Sequence, residues 1–145
     1  MTPRFLRVAG PAILVGVALI ALVGALWFGG GAAPIPLGDA GPAVRWGLPV
    51  AKLVVNLAAA GIVGVLVTAL FTLRTGERAF DVAVDAESIS ATLFTVAAGA
   101  TGFLTFLIVF NPTIDAGPQF GSQLGRLLVE LEVGRTWLIT TVAGA

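Results

Sequence analysis

The sequence predicts an all-α fold, a polytopic helical bundle embedded in a membrane. Of its 145 residues, 57% are hydrophobic and only 11% are charged, and the mean hydropathy is +1.01. A soluble domain carries about 25% charged residues and exposes a large surface to water. The apolar residues also gather into runs that can cross a hydrocarbon core, which takes about 20 helical residues.

Three full transmembrane helices and the start of a fourth are predicted within a single transmembrane region, residues 1–145. We expect the full spans over about residues 8–28, 48–73 and 89–110. The last apolar run, 133–145, would give only about 20 Å of helix, whereas a hydrocarbon core is about 30 Å thick. It is either a half-inserted terminal helix or a fourth span that the chain end interrupts. We favour the second alternative, in which the chain is a fragment of a longer protein.

The N-terminus predicts an uncleaved first helix with its start in the cytoplasm. Arg4 and Arg7 precede an apolar run longer than the 7–15 residues typical of a signal peptide. Basic residues beside the first span favour the inner side, although with this orientation the eight basic residues of the chain divide four against four between the two sides. Pro11 should fall in the first turns of this helix, where its missing N–H is tolerated.

The connections differ in composition. Residues 29–47 are rich in Gly and Pro, which favour turns over helix. In residues 74–88, three acids stand just before the third span, where they favour a helix N-terminus: Asp81, Asp85 and Glu87. Residues 111–132 contain an amphipathic piece, 120–131, that we expect on the membrane surface, with its leucines at helical spacing: Leu124, Leu127, Leu128 and Leu131.

The composition restricts the chemistry. The chain has no His, no Cys and no Tyr, and its one methionine is Met1. Disulfides, thiol chemistry and imidazole catalysis are therefore excluded, and the usual ligands of zinc and Cu(I) are missing. We predict no catalytic residues, no metal ligands and no enzyme activity. Eight basic residues balance eight acidic ones, so a nucleic-acid partner is not expected.

Polar residues within the predicted spans have two interpretations. Lys52 and Asn56 lie near the start of the second span, and Thr92 and Thr95 lie in the third. They could line a polar pathway with Lys52 at its mouth. They could instead belong to small-residue stripes that pack helices, together with Ala60 and Gly64 in one span and Ser88, Gly99 and Gly102 in the other. We favour packing.

A charge cluster precedes the last apolar run. Glu130, Glu132 and Arg135 fall within six positions. Two acids and an arginine could cap a helix, form surface pairs or coordinate an ion. Capping and surface pairing are the commoner uses of such residues, and we favour them.

Two segments resemble a known family. One is 45–52, Arg-Trp-Gly-Leu-Pro-Val-Ala-Lys, which opens the second span. The other is 132–138, Glu-Val-Gly-Arg-Thr-Trp-Leu, which opens the fourth. Together with the Gly/Pro-rich first loop and the short second loop, they resemble the N-terminal part of actinobacterial membrane proteins that join a copper-resistance protein D region to a cytochrome c oxidase assembly (CtaG-type) region.

The resemblance implies a multi-pass protein of the bacterial plasma membrane that takes part in copper transport or resistance, or in cytochrome c oxidase assembly. Its partners would be the lipid bilayer, further helices of the same protein or of a membrane partner, and a terminal oxidase. The family's expected copper-handling residues, His and Met, do not occur in residues 2–145. No cofactor is therefore assigned to this segment, and copper would be held by residues outside it. The alternative is a non-catalytic structural membrane subunit that packs against partner helices.

Overall fold

The computed structural model describes residues 3–34, 36, 38–71, 78–110 and 118–145. Within these ranges the chain forms five helices, confirming the predicted all-α fold: α1 (Pro3–Phe28), α2 (Pro42–Phe71), α3 (Arg78–Phe110), α4 (Pro118–Val129) and α5 (Glu132–Ala143). Three helices are long and apolar enough to cross a membrane, over Ala9–Phe28, Pro42–Phe71 and Ala79–Phe110. The last apolar run forms the short helix α5.

Helix α2 begins earlier than the sequence suggested. The prediction that 29–47 resists helix is wrong for its last six residues, because Pro42 occupies the first helical position, where a missing N–H costs nothing. Hydrogen bonds to the Asp39 carboxylate stabilise the turn before this helix. One carboxylate oxygen accepts from the Gly41 N–H at 3.0 Å, and the other accepts from Arg45 Nη1 at 2.8 Å. Gly41 has φ +90°, a conformation that favours glycine.

Helix α3 also begins earlier than predicted. Asp81, Asp85 and Glu87 lie inside it instead of preceding it, and Asp81 alone stands in its first turn. No Gly or Pro interrupts residues 78–98, so the charged segment continues the apolar helix without a break. The residues before Ser88 lengthen α3 by about 15 Å.

Helix α1 is the least packed of the spanning helices. None of its most apolar window is buried, and side chains such as Ile20 and Trp27 are mostly exposed. Because α1 begins at Pro3, Pro11 lies inside the helix, so its predicted place in the first turns is wrong. A proline there removes the hydrogen bond to the carbonyl one turn earlier.

Helix α3 is the centre of the packed region. Helix α2 lies antiparallel to it: a Cβ built on Gly47 would lie 3.4 Å from Leu104, and one on Gly61 would lie 2.8 Å from Ser90 Oγ. Helix α5 also runs antiparallel to α3, with Thr141 beside Gly99 and Trp137 beside Gly102. All three helices contribute to one apolar core: Val54, Val55, Phe94, Ala97, Ala98 and Trp137.

The amphipathic piece forms α4 and folds back onto α5. Leu127 is 1% exposed, and Gly134 of α5 is buried against it. Phe120 meets the buried Phe106 of α3 edge-on, with ring centroids 5.1 Å apart. Part of the leucine-bearing side of α4 therefore faces protein. The predicted contact of this helix with the membrane surface stays a prediction.

Replacing Gly134 with alanine should destabilise the hairpin of α4 and α5. A Cβ at this position would overlap the Leu127 carbonyl, and overpacking of this kind costs about 1–3 kcal/mol. We expect Gly134→Ala to lower the free energy of unfolding by that amount in detergent micelles, followed by circular dichroism.

The matched control is Gly125→Ala in α4. Gly125 has no neighbouring atom within 4 Å of its added Cβ, and alanine is the better helix former by about 1 kcal/mol. Equal stability of the Gly134→Ala variant and the wild type would contradict the close hairpin.

Candidate functional site

Lys52 and Asn56 lie on the exposed side of α2. The buried residues of this helix are Val44, Val55 and Ala58, whereas Lys52, Asn56 and the rest of their stripe, Ala60 and Gly64, are exposed. No described residue hydrogen-bonds the Asn56 side chain. This face of α2 therefore presents an amide and small residues away from the α3 packing surface.

Thr92 and Thr95 line a shallow cleft beside the C-terminal end of α5. The cleft has a volume of about 300 Å³, and its lining also includes Ser88, Ala91, Val96, Gly144 and Ala145. Thr92 Oγ1 donates to the Ser88 carbonyl at 2.9 Å, and Thr95 Oγ1 donates to the Ala91 carbonyl at 3.0 Å. Both hydroxyl protons are thus used within α3 itself.

The four residues of the suggested polar pathway do not meet. The register set by Gly47 on Leu104 and Gly61 on Ser90 puts Asn56 level with Thr95. Asn56 nevertheless lies on the side of α2 that α3 leaves open, while Thr95 lies beside Gly144. Among the residues that the structure describes, no hydrogen bond joins the two sides.

The glycines of α3 serve helix packing. A Cβ on Gly99 would lie 3.7 Å from Thr141 Cγ2, and one on Gly102 would lie 3.2 Å from Trp137 Cβ. Small residues let helix backbones approach closely in a bilayer. The buried hydroxyl of Thr101 donates to the Ala97 carbonyl at 2.7 Å, so it leaves no unpaired proton in this contact.

The residues of the charge cluster, Glu130, Glu132 and Arg135, are exposed at the surface of the bundle. Arg126 Nε pairs with Glu130 Oε2 at 3.1 Å, and both side chains are largely exposed. Glu132 stands in the first turn of α5, where an acid is favourable. Exposed i, i+4 pairs contribute about 0.3–0.5 kcal/mol. Arg135 is exposed. Across the described ranges, no group of three or more His, Cys, Asp or Glu residues could hold a metal ion.

Sequence reasoning missed the pair between Asp39 and Arg45. Its oxygen and nitrogen are 2.8 Å apart and the two side chains are mostly shielded, at 28% and 18% exposure. The buried Arg45 Nε has no partner among the described residues. The available signal was an acid placed just before Gly41-Pro42, a spacing typical of a capped helix start.

The tryptophans indicate how the bundle sits in a bilayer. The antiparallel packing brings the starts of α2 and α5 to the C-terminal end of α3, so that Trp46 and Trp137 lie at similar levels, near Phe103. Indole rings prefer the membrane interface. A hydrocarbon core of about 30 Å then extends down α3 for about 20 residues, to the neighbourhood of Asp85.

This placement assigns a depth to each polar residue. The starts of α2 and α5, with Arg45 and Glu132, lie above the tryptophan level. Four residues of helix separate Lys52 from the level of Phe103, which puts it about 6 Å inside, where its long side chain can reach the interface. With this placement Asn56 would lie about 12 Å inside, beyond the reach of an asparagine side chain to the interface.

Comparison with known proteins does not add a function to this geometry. No family model, curated protein or solved structure matches the chain.

Proposed function

We propose that the chain is a non-catalytic helix-packing unit of a multi-pass membrane protein. The observation that carries this proposal is that the polar and small residues of α3 make packing contacts and hydrogen bonds within the chain. The glycines of α3 pack against α5, and the hydroxyls of Thr92 and Thr95 donate hydrogen bonds to carbonyl groups of their own helix. Such a surface is suited to holding helices together.

Lipid physics supports this role. Lipid tails are as apolar as the helices, so association in the bilayer depends on close van der Waals contact and on hydrogen bonds between helices. Gly99 and Gly102, about one turn apart on α3, make such contact available to α5, and Gly61 does so on α2. Helix α1, whose most apolar window has no buried residue, leaves large apolar side chains such as Ile13, Ile20 and Phe28 exposed for lipid or for further helices.

We assign the protein to the bacterial plasma membrane with its N-terminus in the cytoplasm. Arg4 and Arg7 support this orientation. The tryptophan level then lies at the outer interface, and the charged start of α3 extends into the cytoplasm.

A flux assay separates packing from a polar pathway. In liposomes that enclose a Cu(I)-sensitive dye, the wild-type chain should give no uptake above protein-free liposomes. The double variant Thr92→Val/Thr95→Val should behave in the same way, because both hydroxyls serve only the α3 backbone. The control is Thr68→Val, whose hydroxyl makes the same kind of bond, to the Gly64 carbonyl, away from the cleft. Saturable uptake that only the double variant abolishes would refute the packing role.

A role in copper handling or oxidase assembly is the second candidate. The segments 45–52 and 132–138, which resemble the copper-resistance D and CtaG-type proteins, begin α2 and α5 at the same end of the bundle. Gly47 and Trp137 within them both pack against α3. In this hypothesis the chain supplies the scaffold, residues outside it hold copper, and a terminal oxidase is a partner.

Deletion of the gene tests the second candidate. The deletion strain should lose copper tolerance or terminal oxidase activity, and the wild-type gene should restore it. Gly102→Leu should fail to restore it, because the new side chain meets Trp137, whereas Gly24→Leu, with open space around its Cβ, should succeed. Unchanged tolerance and unchanged oxidase activity in the deletion strain would exclude the copper role.

A further inference from the structure

We propose that the chain forms a homodimer in which α1 of each copy packs in parallel along the open side of α3 of the other copy, with the basic start of α1 beside the acidic start of α3. The proposal rests on the helix-packing function above and specifies the partner as a second copy of the chain. The open side of α3 is defined by six exposed residues at helical spacing: Asp85, Ile89, Leu93, Val96, Ala100 and Phe103.

The open side of α3 is an apolar surface that the described helices leave uncovered. Helix α2 packs on the side of α3 that bears Ser90, and α5 packs on the side that bears Gly99. On the open side, Ile89 and Val96 are 62% and 67% exposed. The one charged residue of this side is Asp85, near the start of the helix.

Opposite charges stand at the starts of the two helices. Arg4 and Arg7 are the only charged residues of α1, and both belong to its first turns. Asp81 and Asp85 lie near the start of α3, and both are exposed. Successive spanning helices alternate in direction, so α1 and α3 begin on the same side of the membrane. Two copies with the same orientation therefore bring complementary charges to one level, which favours their association.

The spacing of charge and aromatic residues agrees with this register. Arg7 and Trp27 are separated by about 30 Å of helix, and Asp85 and Phe103 are separated by about 27 Å. If Arg7 lies level with Asp85, Trp27 comes within about 3 Å of the level of Phe103, where Trp46 and Trp137 also lie. All three indole rings then share the interface that such rings prefer.

The side of α1 that follows Arg7 at helical spacing is suited to close packing. It carries Leu14, Ala21 and Ala25, which are all exposed. Its small side chains can lie against the larger ones of the open side of α3, which lets the two backbones approach closely.

A second copy supplies this helix. Within the described ranges, α1 contacts α2 of its own chain and does not contact α3. A two-fold axis along the membrane normal makes the contact reciprocal, so that α1 of each copy covers the open side of α3 of the other and the assembly closes as a dimer.

Cross-linking between copies tests the geometry, because the chain has no cysteine of its own. Full-length chains with Ala21→Cys are mixed with chains that carry Ala100→Cys and a longer tag, and both are reconstituted in phosphatidylcholine liposomes and mildly oxidised. We expect a disulfide-linked heterodimer of intermediate size. The matched control is Ile20→Cys, which is also exposed but lies on another side of α1. It should link to Ala100→Cys at least fivefold less.

Neutralising the acidic start of α3 tests the charge contact. The monomer–dimer equilibrium is measured in the same liposomes by single-molecule photobleaching over a range of protein-to-lipid ratios. Asp81→Asn/Asp85→Asn should weaken dimerisation by about fivefold, since each exposed ion pair contributes modestly. The control is Glu87→Gln, at the same end of α3 but on the side that bears the core residue Phe94, and it should change nothing.

The outcomes distinguish the dimer from the packing function. A wild-type chain that stays monomeric at every ratio overturns the dimer, and so does equal cross-linking of Ile20→Cys and Ala21→Cys. A disulfide that forms only within single chains carrying both Ala21→Cys and Ala100→Cys assigns α1 to its own α3 and also overturns it. Each of these results leaves the packing role intact if the liposomes show no copper flux.

Circular dichroism verifies that each variant folds. If Asp81→Asn/Asp85→Asn does not fold, the wild type at low and high salt tests the same contact, because salt screens exposed charges. Dimerisation should weaken at high salt, and dimerisation that is unchanged by salt overturns the charge contact.

Discussion

The register of α2 against α3 is the constraint on which the rest of the structure depends. Gly47 against Leu104 and Gly61 against Ser90 fix the two helices antiparallel, so the depth of a residue on one helix determines the depth of its neighbours on the other. The apolar segments of α2 and α3 are not aligned in this pair. Lys52, a charged residue of α2, lies level with Gly99, which is well inside the apolar segment of α3. The preference of indole rings for the interface favours a placement in which the interface lies near Phe103, within reach of the Lys52 side chain.

The fold class and the spanning helices could be predicted because hydropathy and length determine them. The helix starts could not, because they depend on contacts that composition does not show. Pro42 begins α2 although its surroundings are rich in turn-forming residues, and the decisive interaction is Asp39 with the Gly41 N–H and Arg45. The acids of α3 lie in the helix because nothing between Arg78 and Ala98 breaks it.

The candidate site was predicted as a set of residues but not as an arrangement. Helical spacing identified the stripes with Asn56 and with Gly99 and Gly102, yet spacing alone does not tell which stripe meets a neighbouring helix. In the structure the glycines of α3 pack against α5, whereas the side of α2 that bears Asn56 is exposed. One bundle thus combines a stripe that packs within the chain with a stripe that the described helices leave exposed.

The depth profile of α3 in the bilayer tests this account most directly. Because the chain has no cysteine, single cysteines can carry spin labels at five exposed positions: Ile89, Leu93, Val96, Ala100 and Phe103. Their relative accessibility to oxygen and to a water-soluble nickel complex measures depth. We expect the greatest depth between Leu93 and Val96. A maximum between Ala100 and Phe103 would put Lys52 near the middle of the bilayer and contradict it.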